Sequence, residues 1–311
     1  MLSGVAYFLK MQASVTTTID QDLCNGCGLC VKVCPAKTIS MQDGKAVVTG
    51  TYSMGCGHCE AVCPTGAVRV NALEAPFTLS TTRVDDRWLP FGEYNTNELV
   101  RLMRSRRSCR NYSTKQVNRD LLEDLVKIGT TAPSGTNSQL WTFTILAKRP
   151  EVKILGEGIS LFFKRLNRLA EKPWARLFSK LFGGDALGRY YRQHYATVQE
   201  GIELWEKEDR DALFHGATAA ILVGAEPGAS CPGEDALLAS QNILLAAHSM
   251  GLGSCMIGFA VEAINRDKKI KQLLSIPKEE KIYSVIALGY PAEKYQRPAL
   301  RKKITPRYPE L

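Results

Sequence analysis

The sequence lacks a stretch suited to crossing a membrane. Its longest uncharged run, Ala236 to Val261, carries Gln241, Asn242, His248, Gly251 and Gly253. It therefore reads as a buried helix running into a glycine turn. Residues 1–10 have a short apolar run but no basic start and no small-residue cleavage site, so they are not read as an export signal, and Met11 offers an alternative start. No side chain stands out as an essential acid or base. A dinucleotide-binding fingerprint is also absent. Gly251-Leu252-Gly253 with Gly258 follows a helix where that fingerprint needs a strand, so Gly251 is read as a helix stop.

What is present divides unevenly along the chain. Of ten cysteines, seven fall into two runs near the amino end. They are Cys24-x-x-Cys27-x-x-Cys30-x-x-x-Cys34-Pro35 and Ser53-x-x-Cys56-x-x-Cys59-x-x-x-Cys63-Pro64. Without an export signal, such packing points to a reducing compartment and metal ligation rather than disulfides, and a cytoplasmic location is expected. The spacing is that of a bacterial ferredoxin with two [4Fe–4S] clusters, in which the fourth cysteine of each run serves the other cluster. The expected metal ligands are Cys24, Cys27, Cys30 and Cys63 for one cluster, and Cys34, Cys56 and Cys59 with Ser53 for the other.

Ser53 leaves the second cluster open between [4Fe–4S] and [3Fe–4S]. A serine alkoxide can ligate the fourth iron, or that iron is missing or water-held; an oxygen ligand would shift the potential. His58 is read as a neighbour of the ligands, not one of them. Cys231 and Cys255 are read as ordinary free thiols.

With 311 residues there is room for one small and one large domain, at an ordinary globular composition of 45% hydrophobic and 23% charged residues. The cluster domain is placed at 14–75. Ser14 to Ile19 and Ala67 to Val70 read as strands, and Asp43-Gly44 as a hairpin turn. A linker follows at 76–94, with Trp88 and Phe91 expected to pack on the second domain. The second domain is 95–311. Asn95 with Glu98 marks a helix start whose face is Leu99, Leu102 and Met103; Asn118 caps another helix. Trp141 to Ile145, Ala219 to Val223 and Ile282 to Leu288 read as strands, and Asp235 to Met250 as a buried helix. Helices mixed with few strands give an α+β domain.

Residues 161–192 hold eight basic residues against Glu171 and Asp185. They are read as a basic helical insertion covering the large domain rather than a membrane-surface helix. The formal charge of +9 is offset by about −2 for each oxidised cluster with its thiolates, so no nucleic-acid partner is expected.

The Arg106-Arg107-Ser108-Cys109-Arg110 run offers guanidinium forks and a hydroxyl suited to a phosphate. Together with APSGTNSQLW at 132–141, GLGSCMIG at 251–258 and ALGYP at 287–291, it makes the chain from about 96 to 303 resemble the nitroreductase family of flavin mononucleotide (FMN) enzymes. With the cysteine runs in front, the whole resembles the ferredoxin–nitroreductase fusions. Leu140, where the family often has proline, Cys109 and the basic insertion depart from the family pattern.

The resemblance implies a bacterial-ferredoxin-like domain followed by a nitroreductase-type α+β sandwich, paired as a homodimer with two FMN at the interface. Arg106, Arg107, Ser108 and Arg110 would hold the flavin phosphate, ribityl chain and pyrimidine edge. Pro133, Ser134, Gly135 and Asn137 would reach it from the partner subunit. Ser254, Met256, Ile257 and Gly258 would line the ring, and Arg301 and Lys303 would close on the phosphate. The implied function is an iron–sulfur flavoprotein oxidoreductase whose clusters pass electrons to FMN for reduction of a small electron-poor substrate, a nitroaromatic or an activated double bond. The external donor stays open between reduced ferredoxin and NAD(P)H. The alternative is an electron-transfer subunit delivering electrons to a protein partner, and a third reading, a sensor on nucleic acid or membrane, rests on 161–192 alone.

Overall fold

The computed structural model describes residues 15–73 and 77–310. The readings made of residues 1–14, of the amino end of the linker at 74–76 and of Leu311 lie outside that range. The described residues form two compact units, one up to Thr78 together with Ser134–Gln139, the other of Leu79–Pro133 with the described residues from Leu140 on.

In the first unit, β1 (Thr17–Ile19) pairs antiparallel with β4 (Val68–Val70). Between them lie α1 (Leu29–Val33), the hairpin of β2 (Ile39–Gln42) and β3 (Lys45–Val48), and α2 (His58–Ala61). Asp43 and Gly44 both have positive φ, 48° and 78°, as a two-residue hairpin turn of matching twist requires. The core is thin: Ile39, Ala46, Val68 and Val70 close around Cys30 and Cys59.

The two halves repeat in backbone as well as in sequence. Gly28 and Gly57 both precede a short helix in the left-handed region. Gly26, at φ 74°, sits so close to the Gly44 carbonyl that a Cβ would lie 2.1 Å from its oxygen, so only glycine fits.

The second unit is built on a four-stranded antiparallel sheet in the order β5 (Trp141–Leu146), β6 (Ala219–Ala225), β8 (Lys281–Gly289), β7 (Gly253–Met256). Both faces are covered, and alternation along the central strands divides the core. Leu222, Ile282, Val285 and Ala287 face one side, with Val152, Leu155 and Ile159 of α5 (Arg149–Ala170) and Ala260 and Ile264 of α10 (Gly258–Arg266). Ile221, Val223, Ile286 and Leu288 face the other, with Leu122 and Leu125 of α4 (Arg119–Gly129) and Ile243 and Leu244 of α9 (Pro232–Ser249). Because both faces are buried, β6 reads as a continuous apolar run rather than an alternating one.

Caps set several boundaries. Asn95 Oδ1 accepts from the Asn97 and Glu98 amides to start α3 (Thr96–Ser105), and Asn118 Oδ1 accepts from Asp120 N, 3.0 Å, to start α4. Gly251, at φ 80°, ends α9, and the Leu252 amide turns back to the Ala247 carbonyl at 2.7 Å.

The helix α3 forms from its Asn95 cap as expected, and none of its residues is buried. One expectation needs correction. Trp88 and Phe91 do not pack on the large unit. They are 75% and 95% exposed and meet mainly each other, edge to face at 6.0 Å. The stretch is pinned elsewhere. The buried Asp124 carboxylate of α4 accepts from Ser80 N (2.8 Å), Thr81 N (2.7 Å) and Thr81 Oγ1 (2.6 Å). Two backbone amides and a hydroxyl answer a buried charge more completely than aromatic rings could answer an open surface.

The basic segment forms the second half of α5, then α6 (Pro173–Phe182) and α7 (Ala186–Gln193), followed by α8 (Tyr195–Glu208) and, past the α10 helix, α11 (Lys268–Leu273). Among the described residues, no helix is long and apolar enough to cross a membrane.

Candidate functional site

Each run begins in a loop and ends past a short helix, and its fourth cysteine lines a hollow with members of the other run. The structure sorts them accordingly. Cys24, Cys27, Cys30 and Cys63 line one small hollow. Cys34, Ser53, Cys56 and Cys59 line another. Both sets are those expected from spacing. Among the described residues, no three side chains converge closely enough for a single ion. Four donors line each hollow, thiols in every slot but that of Ser53, and a donor set of that chemistry fits an iron–sulfur cluster.

Burial pushes the Cys30 and Cys59 thiols up. Burial also raises Cys34, but the Thr38 backbone amide, 3.3 Å from its sulfur, and further hydrogen bonds outweigh that and bring its pKa below the usual thiol value. At the serine slot, the Gly55 amide donates to Ser53 Oγ at 3.1 Å. The next carbonyls are held as well: Asn137 Nδ2 donates to the Gly55 carbonyl at 3.1 Å and to that of Met54 at 3.4 Å. Asn137 belongs to a turn in which it, Thr136 and Gln139 all have positive φ, at 56°, 53° and 48°. Three such non-glycine residues in four positions mark a strained loop. The loop thus joins the compact unit that contains the cysteines.

In the second unit, seven of the fourteen expected flavin residues fall into two clefts. The first, of about 710 Å³, is lined by Arg106, Arg107, Ser254 and also by Arg104, His248 and Arg297. Arg106 to Cys109 follow α3 and run beside β7, where Ser108 bridges to Ser254 and the Cys109 amide donates to the Ser254 carbonyl at 2.9 Å. The Ser254 hydroxyl is buried and has no hydrogen-bond partner among the described residues. Burial, with Arg106 nearby, lowers the His248 pKa. A cationic cleft with a buried, unanswered hydroxyl fits a polyanionic, hydroxyl-bearing group such as a ribityl phosphate.

The second cleft, of about 1060 Å³, opens beyond β7. It takes in Arg110, Met256, Ile257 and Gly258, with Phe163, Tyr190 and Phe259 among its aromatic walls. Phe163 meets Phe259 edge to face at 5.5 Å and stacks with Tyr190 at 6.3 Å. Burial pushes Tyr190 up to about 12, and its hydroxyl donates to Asn167 Oδ1 at 2.6 Å. Burial, with the Arg110 charge, lowers the His215 pKa even against Asp211. The space before the Gly258 Cα is open, so a flat group can approach the backbone there.

Pro133, Ser134, Gly135 and Asn137 line neither cleft, and neither do Ser108, Arg301 or Lys303. The last two lie on an exposed tail. Sequence reasoning missed Arg104, His248 and Arg297 of the first cleft and Tyr190, His194 and His215 of the second. The aromatic residues inside the basic segment were the available signal. Cys255 is buried, with its thiol raised, and Cys231 is exposed; neither is in a disulfide.

Two family models match separate stretches of the chain. Residues 23–67 match the model of a 4Fe-4S dicluster domain, and residues 103–290 match that of the nitroreductase family. A protein of Archaeoglobus fulgidus, provisionally named an NADH dehydrogenase/NAD(P)H nitroreductase, is 27% identical over 201 residues, 63% of this chain and 87% of that protein. A 4-nitrobenzoate reductase of Nocardioides sp. is 27% identical over 206 residues, 61% of this chain and 78% of that protein. Among solved structures, an FMN-bound nitroreductase of Bacteroides fragilis is 26% identical with a TM-score of 0.48, covering 68% of this chain and 95% of that one. The larger family match takes in more than half of the sequence and the whole of the four-stranded sheet, so the chain belongs to the nitroreductase family, with a 4Fe-4S dicluster domain ahead of it.

Proposed function

We propose that this chain is an iron–sulfur flavoprotein oxidoreductase that takes electrons in through two clusters and reduces a small, electron-poor substrate at FMN. When bound, the clusters supply one-electron transfer, and FMN supplies conversion of single electrons into a hydride. The observation that carries this reading is the unpartnered Ser254 hydroxyl in a cleft edged by Arg106 and Arg107, in a chain that also gathers two cysteine sets.

The remaining chemistry belongs to the chain's own groups. Cys24, Cys27, Cys30 and Cys63 hold one [4Fe–4S] cluster. Cys34, Cys56 and Cys59 with Ser53 hold the second, as [4Fe–4S] or [3Fe–4S]; the Gly55 amide at Ser53 Oγ would stabilise an alkoxide ligand. Arg106, Arg107, Ser108 and Arg110 bind phosphate, ribityl chain and ring edge, and Ser254 gains the partner that it lacks. Cationic groups beside the ring edge stabilise negative charge there. Met256, Ile257 and the open backbone at Gly258 present a flat surface toward the aromatic cleft, which excludes water and orients the substrate.

The site is completed in a homodimer of the 95–311 domains. Pro133, Ser134, Gly135 and Asn137 come from the second copy, and Arg301 and Lys303 close on the phosphate. The exposed Leu300, Ile304 and Tyr308 of the extended tail supply apolar surface for that pairing. A cytoplasmic setting and a donor that is either reduced ferredoxin or NAD(P)H complete the proposal.

Anaerobic steady-state assays with a nitroaromatic and an activated enone test it, each donor being tried in turn. Turnover of either acceptor, lost together with FMN in Arg106→Ala/Arg107→Ala, is the expected result. A chain that passes electrons to a protein acceptor but reduces neither small molecule would be the electron-transfer subunit instead.

A further inference from the structure

The α6 helix carries a feature that neither the clusters nor the clefts require. Trp174, Leu177, Phe178, Leu181 and Phe182 recur at helical spacing and form one face, and all five are open, from 58% exposed for Leu177 to 75% for Phe182. A helix that covered the large unit would bury that face. The opposite occurs: the inner side of α6 is Ala175, buried, and Ser179, whose hydroxyl accepts from Leu187 N at 3.0 Å. Arg176 is also turned inward, bonded to the Ala170 carbonyl and 4.3 Å from the Tyr191 ring. The exposed face is therefore not the back of a packed helix but a fixed apolar surface.

Its surroundings are cationic. In the 161–192 segment, Lys164, Arg165 and Arg192 have acidic partners: Glu206, Asp267 and Asp185. The only other acid there, Glu171, accepts from the Tyr195 hydroxyl at 2.7 Å. Arg168, Lys172, Lys180 and Arg189 make no ion pair among the described residues. Lys172 lies over the Trp174 ring at 5.8 Å, at the start of the apolar face.

We propose that the exposed face of α6 docks this protein onto an anionic lipid surface, with Trp174, Leu177, Phe178, Leu181 and Phe182 entering the headgroup boundary while Lys172, Lys180 and their cationic neighbours meet lipid phosphates. Three arguments select this occupant. An apolar face bordered by unpaired cations complements a surface with hydrocarbon below and negative charge above. A second copy of the same face would bring like charges together. The helix is short and ends at Gly183-Gly184, which suits lying in the interface plane and not spanning it. Trp174 and Phe178 also line the aromatic cleft, so docking would open that cleft toward the lipid phase and favour apolar substrates dissolved there. This consequence rests on the reading of the cleft as a substrate site; the docking itself does not.

The test is vesicle co-sedimentation of the full, anaerobically reconstituted chain. One vesicle type is an equimolar mixture of phosphatidylglycerol and phosphatidylcholine, the other phosphatidylcholine alone. Binding to the first and not the second, weakening as salt rises, is expected. Leu177→Glu/Leu181→Glu alters only exposed side chains outside both clefts and should lower vesicle affinity about a hundredfold or more. Lys172→Gln/Lys180→Gln should lower it about thirtyfold on the anionic vesicles. Circular dichroism confirms that each variant folds. No sedimentation with anionic vesicles, equal binding to both vesicle types, or full binding by the glutamate variant would overturn the proposal. So would larger oligomers in the absence of lipid that disappear in the glutamate variant, because the face would then belong to a second copy. Loss of nitroaromatic reduction with vesicle binding intact would instead count against the proposed reaction and leave docking standing.

Discussion

The two units are held together by different physics. In the first, the core among the described residues is a cluster of six buried side chains, two of them cysteines. Without metal, those sulfurs are poor packing groups around hollows, so cluster ligation must supply much of the folding free energy. In the second, a sheet buried on both faces brings together two apolar clusters. One unit is organised by ligand spacing, the other by hydrophobic layering.

The sharpest way to break this comparison is to remove the iron. Chelation, or Cys30→Ala with Cys59→Ala, should unfold the first unit and leave the second folded. Limited proteolysis checks this: a stable fragment starting near residue 79 is expected, and simultaneous digestion of both units would show that they fold as one. The converse change is Leu222→Ala in the fully buried β6 strand, which should cost about 2–5 kcal/mol in urea unfolding. The visible absorption per iron should stay the same.

Asp124 makes a smaller, pH-dependent test. Burial raises its pKa, but the Thr81 hydroxyl and the Ser80 and Thr81 amides lower it more, so the net shift is downward. A carboxylate depressed in the folded state adds stability above its unfolded pKa and loses it as pH falls through the folded one. Asp124→Asn should therefore cost about 1.5–3 kcal/mol near neutral pH, and the gap from wild type should close as the pH drops below the ordinary carboxylate range. A gap that persists in acid would assign the effect to shape and not charge.

The smallest effect concerns the turn beside the serine slot. Asn137→Ala removes the bonds to the Met54 and Gly55 carbonyls and should cost about 1 kcal/mol. It should broaden the electron paramagnetic resonance signal of the second cluster more than that of the first. An unaltered signal would show that the bond at Gly55 does not steady the ligand loop.

What the sequence made legible follows the same divide. The two cysteine groupings were readable because each takes three of its members from one short run, where spacing dictates geometry, and the fourth from the other run. Strands β5, β6 and β8 were readable from apolar runs, and α3 and α4 from their asparagine caps. Asp124 was not, because an acid in an amphipathic helix looks solvated until its partners, more than forty positions away, are known. Trp88 and Phe91 misled for the opposite reason: their size implied a packing partner, but the stretch is fixed by backbone amides on Asp124. The second cleft was hidden because its walls come from α5, α7 and α10, far apart in the chain. The α6 face was visible as a pattern, yet only the structure tells which side of it is inward.

The central claim is that one chain holds both kinds of redox group. Iron, sulfide and FMN should be measured on a single anaerobically purified and reconstituted preparation. About eight irons per chain, or about seven with a three-iron second cluster, together with one FMN in the same chromatographic peak, is the result the account predicts. Iron without flavin, or flavin in a chain that takes up no iron, would contradict it.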